Sequence, residues 1–274
     1  MLVAGVLAGC GGSSGSVSVA TMPRVTTAEK ASAADFPRAS GKRLSEVRQG
    51  LQDGLVLAPS VSIFTPGRNR YGFAIYDVAR KQVADAPVAV YVSKQDGSGV
   101  RGPYVARSES LAVKPQFQSR TAQADPDAAR SVYVADIDFP RPGKYRVSAI
   151  ASLDGRGVAT SSFTAVVPAA GTKGLPPAPG ETAPKVDTPT LASVAGDAAR
   201  ISTRTPPAKD LLTTNLSDVY GRKPVALLFA TPALCQSRVC GPVVDILEEV
   251  RSEMGDEKVA FITNEIYKDN RVDQ

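Results

Sequence analysis

The sequence predicts two folded parts: an antiparallel β-sandwich over residues 55–167, followed by a partial α/β unit over residues 209–274. Three observations predict them. Between Leu55 and Val167 short runs of alternating apolar and polar residues are punctuated by Gly, Pro and Asp. Residues 168–208 are rich in Pro and poor in large apolar side chains. From Pro224 onward a continuous apolar run, a helical pattern and a second apolar run follow one another. A chain of 274 residues also exceeds the roughly 150 residues of a typical single domain.

Composition removes several chemistries. The chain contains no His, which excludes Ser-His-Asp and Cys-His nucleophile pairs and the commonest transition-metal ligand. No metal and no cofactor is expected. The net charge of +5 arises from 32 basic and 27 acidic residues mixed along the chain. No basic block or aromatic-interleaved patch of the kind that binds nucleic acid is present, so no nucleic-acid partner is expected. No run of about 20 apolar residues follows residue 10, which argues against a spanning helix.

At the N-terminus, Leu7-Ala8-Gly9-Cys10 precedes Gly-Gly-Ser-Ser-Gly-Ser. This resembles the bacterial lipobox, in which the cysteine becomes the lipidated first residue of the mature chain. The resemblance implies a signal peptide ending at residue 9 (residues 1–9), a palmitate-type diacylglyceryl anchor on Cys10 and a place on the extracytoplasmic face of the cell membrane. The uncharged stretch before Cys10 is short for a signal peptide, so the true start is expected upstream. Residues 10–54 then read as a tether with too little apolar surface to order itself. Within it Leu44, Val47 and Leu51 have the spacing of a short helix, stopped at Gly54. In such an oxidising compartment a disulfide persists, and Cys235 with Cys240 is the only remaining pair among the three cysteines.

The sandwich is read strand by strand. Tyr71, Phe73 and Ile75 alternate on one face of a first strand. Ala86–Val92 and Val132–Phe139 follow, then Tyr145–Leu153. Asp154-Gly155 between apolar runs is a hairpin signal, with Val158–Val167 as the returning strand. Lys94–Gln118 reads as a long loop able to touch a partner. Roughly six or seven strands over this length point to an antiparallel sandwich. Phe139-Pro-Arg-Pro-Gly-Lys-Tyr145-Arg-Val resembles the Pro-Gly-x-Tyr-x-Val strand start of Ig-like and fibronectin-like extracellular domains, and it implies an Ig-like fold without implying an activity.

Six prolines between Pro168 and Pro189 favour extended polyproline II geometry, and Ser202-Thr-Arg-Thr-Pro-Pro continues the linker to about residue 208. Leu211, Leu212 and Leu216 mark a turn or short helix. Pro224–Ala230 is a strand of the type buried on both faces. Val243, Ile246, Leu247, Val250 and Met254 then recur at helical spacing, with Pro242 near the favoured first position and Gly255 as the stop. Lys258–Thr263 is the next strand, which makes a right-handed βαβ unit.

Pro-Val-Ala-Leu-Leu-Phe-Ala-Thr-Pro-Ala-Leu-Cys235 resembles the strand and Pro-containing turn that lead to the redox cysteine of the thioredoxin superfamily. The resemblance implies a thiol-disulfide oxidoreductase in which Cys235 attacks and Cys240 resolves. Arg238, Gly241 and Pro242 would support them. Four residues separate the cysteines where the family has two, and Leu234 stands where the family commonly has Trp. Pro242 is the last proline, so the family's later cis-proline is expected beyond Gln274, in a domain that continues past this sequence.

Geometry constrains the pair independently. Residues five apart in a regular helix have Cα atoms roughly 8–9 Å apart, whereas a disulfide wants about 4.4–6.8 Å. If the two bond, residues 236–239 are not straight helix, and the loop sits over the helix N-terminus, where a thiol pKa falls. Two functions remain open. One is thiol-disulfide exchange with envelope proteins; the other is a non-enzymatic binding or presentation lipoprotein in which Cys235–Cys240 is an inert staple.

Overall fold

The computed structural model describes residues 22, 26–235 and 238–268, and the Cys10 lipobox lies outside them. After a four-residue helix α1 (Leu44–Val47), eight strands follow: β1 (Gln52–Pro59), β2 (Gly67–Asp77), β3 (Val88–Lys94), β4 (Arg101–Ser110), β5 (Ser131–Phe139), β6 (Gly143–Leu153), β7 (Arg156–Thr160) and β8 (Phe163–Val167). A short helix α2 (Arg120–Ala124) interrupts the connection from β4 to β5.

These strands form a closed barrel, and the expectation of an antiparallel Ig-like β-sandwich is corrected here. The hydrogen-bonded order is β3-β4-β5-β2-β1-β7-β6, and β6 then pairs back onto β3 over its length, from Val88↔Ala151 to Lys94↔Tyr145. Seven strands close the ring, and β8 is added along the N-terminal half of β6, from Gly143↔Val167 to Val147↔Phe163. The sheet is not wholly antiparallel, because β1 runs parallel to β7 with a bulge between Asp53 and Leu55. Alternation in the sequence assigns the inner and outer face of each strand, and that pattern is the same in a sandwich and in a barrel. Closure depends on which edges meet, and β6 is long enough to serve β7, β8 and β3 at once.

Inside, every second residue faces one core. Leu55 and Leu57 of β1, Tyr71, Phe73 and Ile75 of β2, Val88, Val90 and Val92 of β3, Tyr133, Ala135, Ile137 and Phe139 of β5, and Tyr145, Val147, Ala149 and Ala151 of β6 share it. Tyr71 stacks on Phe73 at 4.9 Å and Phe73 on Tyr133 at 5.5 Å, geometries that add to the hydrophobic gain. The Tyr133 hydroxyl accepts from Ala86 N–H and donates to the Val83 carbonyl. Burial pushes its pKa up to about 12. Asp154 and Gly155 close β6 onto β7 with φ of 51° and 74°, the positive values a type I′ turn needs.

Two segments differ from their sequence reading. The stretch read as the loop Lys94–Gln118 contains β4, whose Gly102 adopts φ 118° beside a register shift between Val90 and Val92. A Cβ there would lie 2.7 Å from the Val90 carbonyl oxygen, which is why glycine occupies the bulge. The stretch read as tether up to residue 54 packs, over residues 26–51, on the outside of β3 and β6. Phe36, Ala39, Leu44 and Val47 form a second core there with Ala89, Tyr91 and Ile150, and the Tyr91 hydroxyl donates to the Pro37 carbonyl. Strand β3 is therefore buried on both faces.

Beyond the barrel, residues 169–187 are exposed, and the chain packs again from Thr188. Val194, Ala198 and Ile201 cluster with Leu212. A short helix α3 (Leu216–Val219) precedes β9 (Val225–Phe229), helix α4 (Cys240–Met254) and β10 (Ala260–Asn264). Strands β9 and β10 pair in parallel from Ala260↔Val225 to Asn264↔Phe229, with α4 as the crossover. Gly255 ends α4 at φ 74°.

The expectation of a thioredoxin-like domain is likewise corrected. Among the described residues this sheet has two strands and one packed crossover helix, and no thioredoxin α/β domain is formed. The buried face of α4 is also turned from the predicted stripe. It consists of Gly241, Pro242, Val244 and Asp245, while Met254 is 49% exposed. The reason is that α4 serves two neighbours: Val244, Leu247 and Val250 meet Phe261 and the β9 face, while its first turns meet the barrel's β4–β5 connection.

Candidate functional site

The site lies where the Leu111–Arg130 connection of the barrel meets the start of α4. Cys235 and Cys240 form a disulfide with Cα atoms 6.0 Å apart, inside the range that a regular helix at this spacing exceeds. Arg238 sits between them in the left-handed region, at φ 57°. Helix α4 starts at Cys240, whose backbone N–H donates to Cys235 Sγ at 3.4 Å. Cys235 lines a cleft of about 270 Å³ with Thr121, Ala122, Asp125, Pro232, Arg238, Gly241 and Pro242 among its walls. Cys240 packs instead toward the core beneath α4.

The barrel holds this loop directly. Arg238 Nη1 donates to Asp125 Oδ1 at 2.8 Å and to Asp127 Oδ2 at 2.7 Å. The Ala129 N–H donates to the Arg238 carbonyl at 3.2 Å. Gly241 faces Ala122 at ordinary contact distance, 3.8 Å from where a Cβ would stand. A second cleft of about 490 Å³ shares Ala122, Asp125, Ala128 and Pro242 with the first and continues along the connection past Leu111 and Arg130. The two clefts adjoin along these shared residues, and Cys235 lines the first.

Beneath the clefts lies a buried ion pair. Arg204 Nε donates to Asp245 Oδ1 at 2.9 Å, with side chains 3% and 2% exposed. The other carboxylate oxygen accepts from Ser119 N–H at 3.0 Å and from Ser119 Oγ at 3.1 Å. Arg204 also donates to the carbonyls of Phe117 and Pro206 and meets Glu248 at 2.6 Å. Burial holds the Glu248 carboxyl above the usual carboxylate range, and Arg204 opposes that shift. Ser119 caps α2 through the Ala122 N–H. Thr203, next to Arg204, accepts from Ala233 N–H, which ties the same segment to the turn before Cys235.

The predicted residues Cys235, Cys240, Arg238, Gly241 and Pro242 thus converge. Sequence reasoning missed Asp125, Asp127, Ser119, Arg204 and Asp245. The one available signal was Asp245 itself, a lone carboxylate in Val-Val-Asp-Ile-Leu. Among the described residues no group of three His, Cys, Asp or Glu is placed to hold a metal ion. No helix among them is long and apolar enough to cross a membrane.

No family model matches the chain, and no curated protein matches it. Among solved structures, the Lin-41 filamin domain is similar over 42% of this chain and 91% of its own, at 11% identity and a TM-score of 0.22. The human F-spondin reeler domain covers 48% and is itself covered over 96%, at 8% identity and a TM-score of 0.24. The Reelin-N domain of F-spondin gives 46%, 97%, 6% and 0.24. At these scores the likenesses assign neither a family nor a function.

The ion pair predicts a specific stability pattern. Arg204→Ala leaves a buried carboxylate short of its cation and should destabilise the protein by about 3–5 kcal/mol, whereas Arg204→Met with Asp245→Leu should lose far less. Urea unfolding followed by α4 protection measures both. Equal losses for the single and double variants would contradict the assignment.

Proposed function

We propose that this chain is a lipid-anchored protein of the extracytoplasmic membrane face whose Cys235–Cys240 pair exchanges disulfides with thiols of envelope proteins. The observation that carries this reading is the division between the two sulfurs. Cys235 lines an open cleft at the N-terminus of the fifteen-residue α4, and Cys240 packs toward the core. In the dithiol form, the Cys240 N–H and the positive end of the helix favour a thiolate at Cys235.

The exchange balances as follows. The Cys235 thiolate attacks one sulfur of a client disulfide, the client S–S bond breaks, and the departing client sulfur leaves as a thiolate that takes up a proton. Cys240, once deprotonated, attacks Cys235 Sγ of the mixed disulfide and expels the second client sulfur. The client gains two electrons and the protein's dithiol becomes a disulfide. With a client dithiol and the oxidised protein, the same steps run in reverse.

A second reading is a non-enzymatic binding or presentation lipoprotein with an inert bridge, and the two-stranded sheet beside the pair, which forms no thioredoxin-like domain among the described residues, favours it. Equilibration of the full chain in glutathione buffers separates the two. Exchange predicts a potential above about −300 mV, a Cys235 thiol ionising below about pH 8.5, and a glutathione adduct trapped on Cys235 by Cys240→Ser. A potential below that bound with neither thiol ionising before about pH 8.5 would leave the inert bridge.

Anchoring rests on Leu7-Ala8-Gly9-Cys10 and the Gly/Ser stretch after it. Cys10→Ala in the precursor should move the protein from the membrane fraction to the soluble one. Unchanged partition would contradict the anchor.

A further inference from the structure

We infer that Asp125 and Asp127 of the barrel are positioning residues for the Cys235–Cys240 pair, so that docking of the β4–β5 connection sets the equilibrium between dithiol and disulfide. The inference concerns regulation of the site proposed above and rests on that reading for its biological meaning, though not for its measurement. The disulfide joins Cα atoms 6.0 Å apart, within the range such a bond tolerates, and between the two cysteines Arg238 occupies the left-handed region at φ 57°. A non-Gly residue there is disfavoured by roughly 1–2 kcal/mol, so an unrestrained Cys-x-x-x-x-Cys loop would leave it once the S–S bond is cut. Three bonds from the barrel oppose that departure: Asp125 and Asp127 on Arg238 Nη1, and Ala129 N–H on the Arg238 carbonyl. They hold the loop in the shape the disulfide needs and raise the effective concentration of one thiol at the other.

Linkage makes the effect reciprocal: a clamp that favours the disulfide is itself tightened by the disulfide. Reduction should therefore loosen residues 125–129 from the α4 start and open the cleft beside Cys235, while oxidation closes it. Since one nitrogen meets both carboxylates, a lysine at this position can replace much of the contact. Because these side chains are 30–50% exposed, salt should weaken the clamp.

The test is the equilibrium constant of disulfide formation in the full chain against glutathione, or against dithiothreitol should glutathione not reach it. Asp125→Asn/Asp127→Asn is expected to lower that constant about fivefold, which is about 20 mV toward a more oxidising pair. Arg238→Ala should give the same shift, the combined variant no more than either alone, and Arg238→Lys a smaller one. Raising salt from about 0.05 to 1 M should bring wild type toward the Asn variant and leave the variant unmoved. In the Cys235→Ser/Cys240→Ser protein the Ala129 amide should exchange at least tenfold faster than in the oxidised protein, with the barrel amide of Ile75 unchanged. An equilibrium constant insensitive to all four variants and to salt would overturn the inference even if exchange through Cys235 is confirmed. A pair that shifts as expected but never forms a mixed disulfide would retain the clamp and overturn the exchange function.

Discussion

Burying the Asp245 carboxylate costs several kcal/mol unless its oxygens are matched, and the groups that match it come from separated parts of the chain. Arg204 arrives from the segment after the Pro-rich stretch, Ser119 from the barrel's β4–β5 connection, and Asp245 itself from α4. The Asp245 carboxylate is matched on both oxygens only when Arg204 and Ser119 are both in place. That requirement fixes the first turns of α4 against the barrel and thereby decides where Cys240 begins its helix. The disulfide, the Arg238 clamp and the clefts beside them are consequences of this placement. A hydrophobic contact of the same size would hold the parts together with less directional demand.

The clamp and the ion pair act at different strengths. Arg238 with Asp125 and Asp127 is half in solvent, and such pairs contribute little to stability. Arg204 with Asp245 is enclosed and is not easily rearranged. Arg238 lies seven residues before Asp245, so the exposed contact and the enclosed pair flank the start of α4.

What the sequence made legible follows from which interactions are local. The alternation Tyr71-Phe73-Ile75 and the Asp154-Gly155 turn announced strands and a hairpin because side-chain direction and turn chemistry are set within a few residues. The βαβ order from Pro224 to Thr263 was legible for the same reason. Closure of the barrel was not, since the pairing of β6 with β3 joins residues 51 to 63 positions apart, from Lys94↔Tyr145 to Val88↔Ala151, and leaves no periodic trace. Strand β4 was hidden because Arg101–Ser110 mixes Gly, Pro, Arg and Ser around a bulge. The apolar positions of residues 26–51 looked too sparse to fold, yet Phe36, Leu44 and Val47 suffice when β3 and β6 already present an apolar outer face. The thioredoxin resemblance rested on a strand, a turn and a cysteine, all local, and the sheet that would complete such a fold is not formed by the described residues. At the site, Cys235 and Cys240 were legible as a pair by elimination, and the constraint on residues 236–239 followed from helix dimensions. Asp125, Asp127 and Arg204 were not, because their roles come only from meeting α4.

The central claim is that the β4–β5 connection and the start of α4 form one cooperative unit around the buried ion pair. Native-state amide hydrogen exchange in low denaturant tests it most directly, because residues that open together share one opening free energy. The amides of Ser119 and Ala122 should exchange with the same free energy and denaturant dependence as Val243 and Val244 in α4. Exchange of Ser119 and Ala122 at the rates of a free loop, while Val243 and Val244 stay protected, would contradict the account.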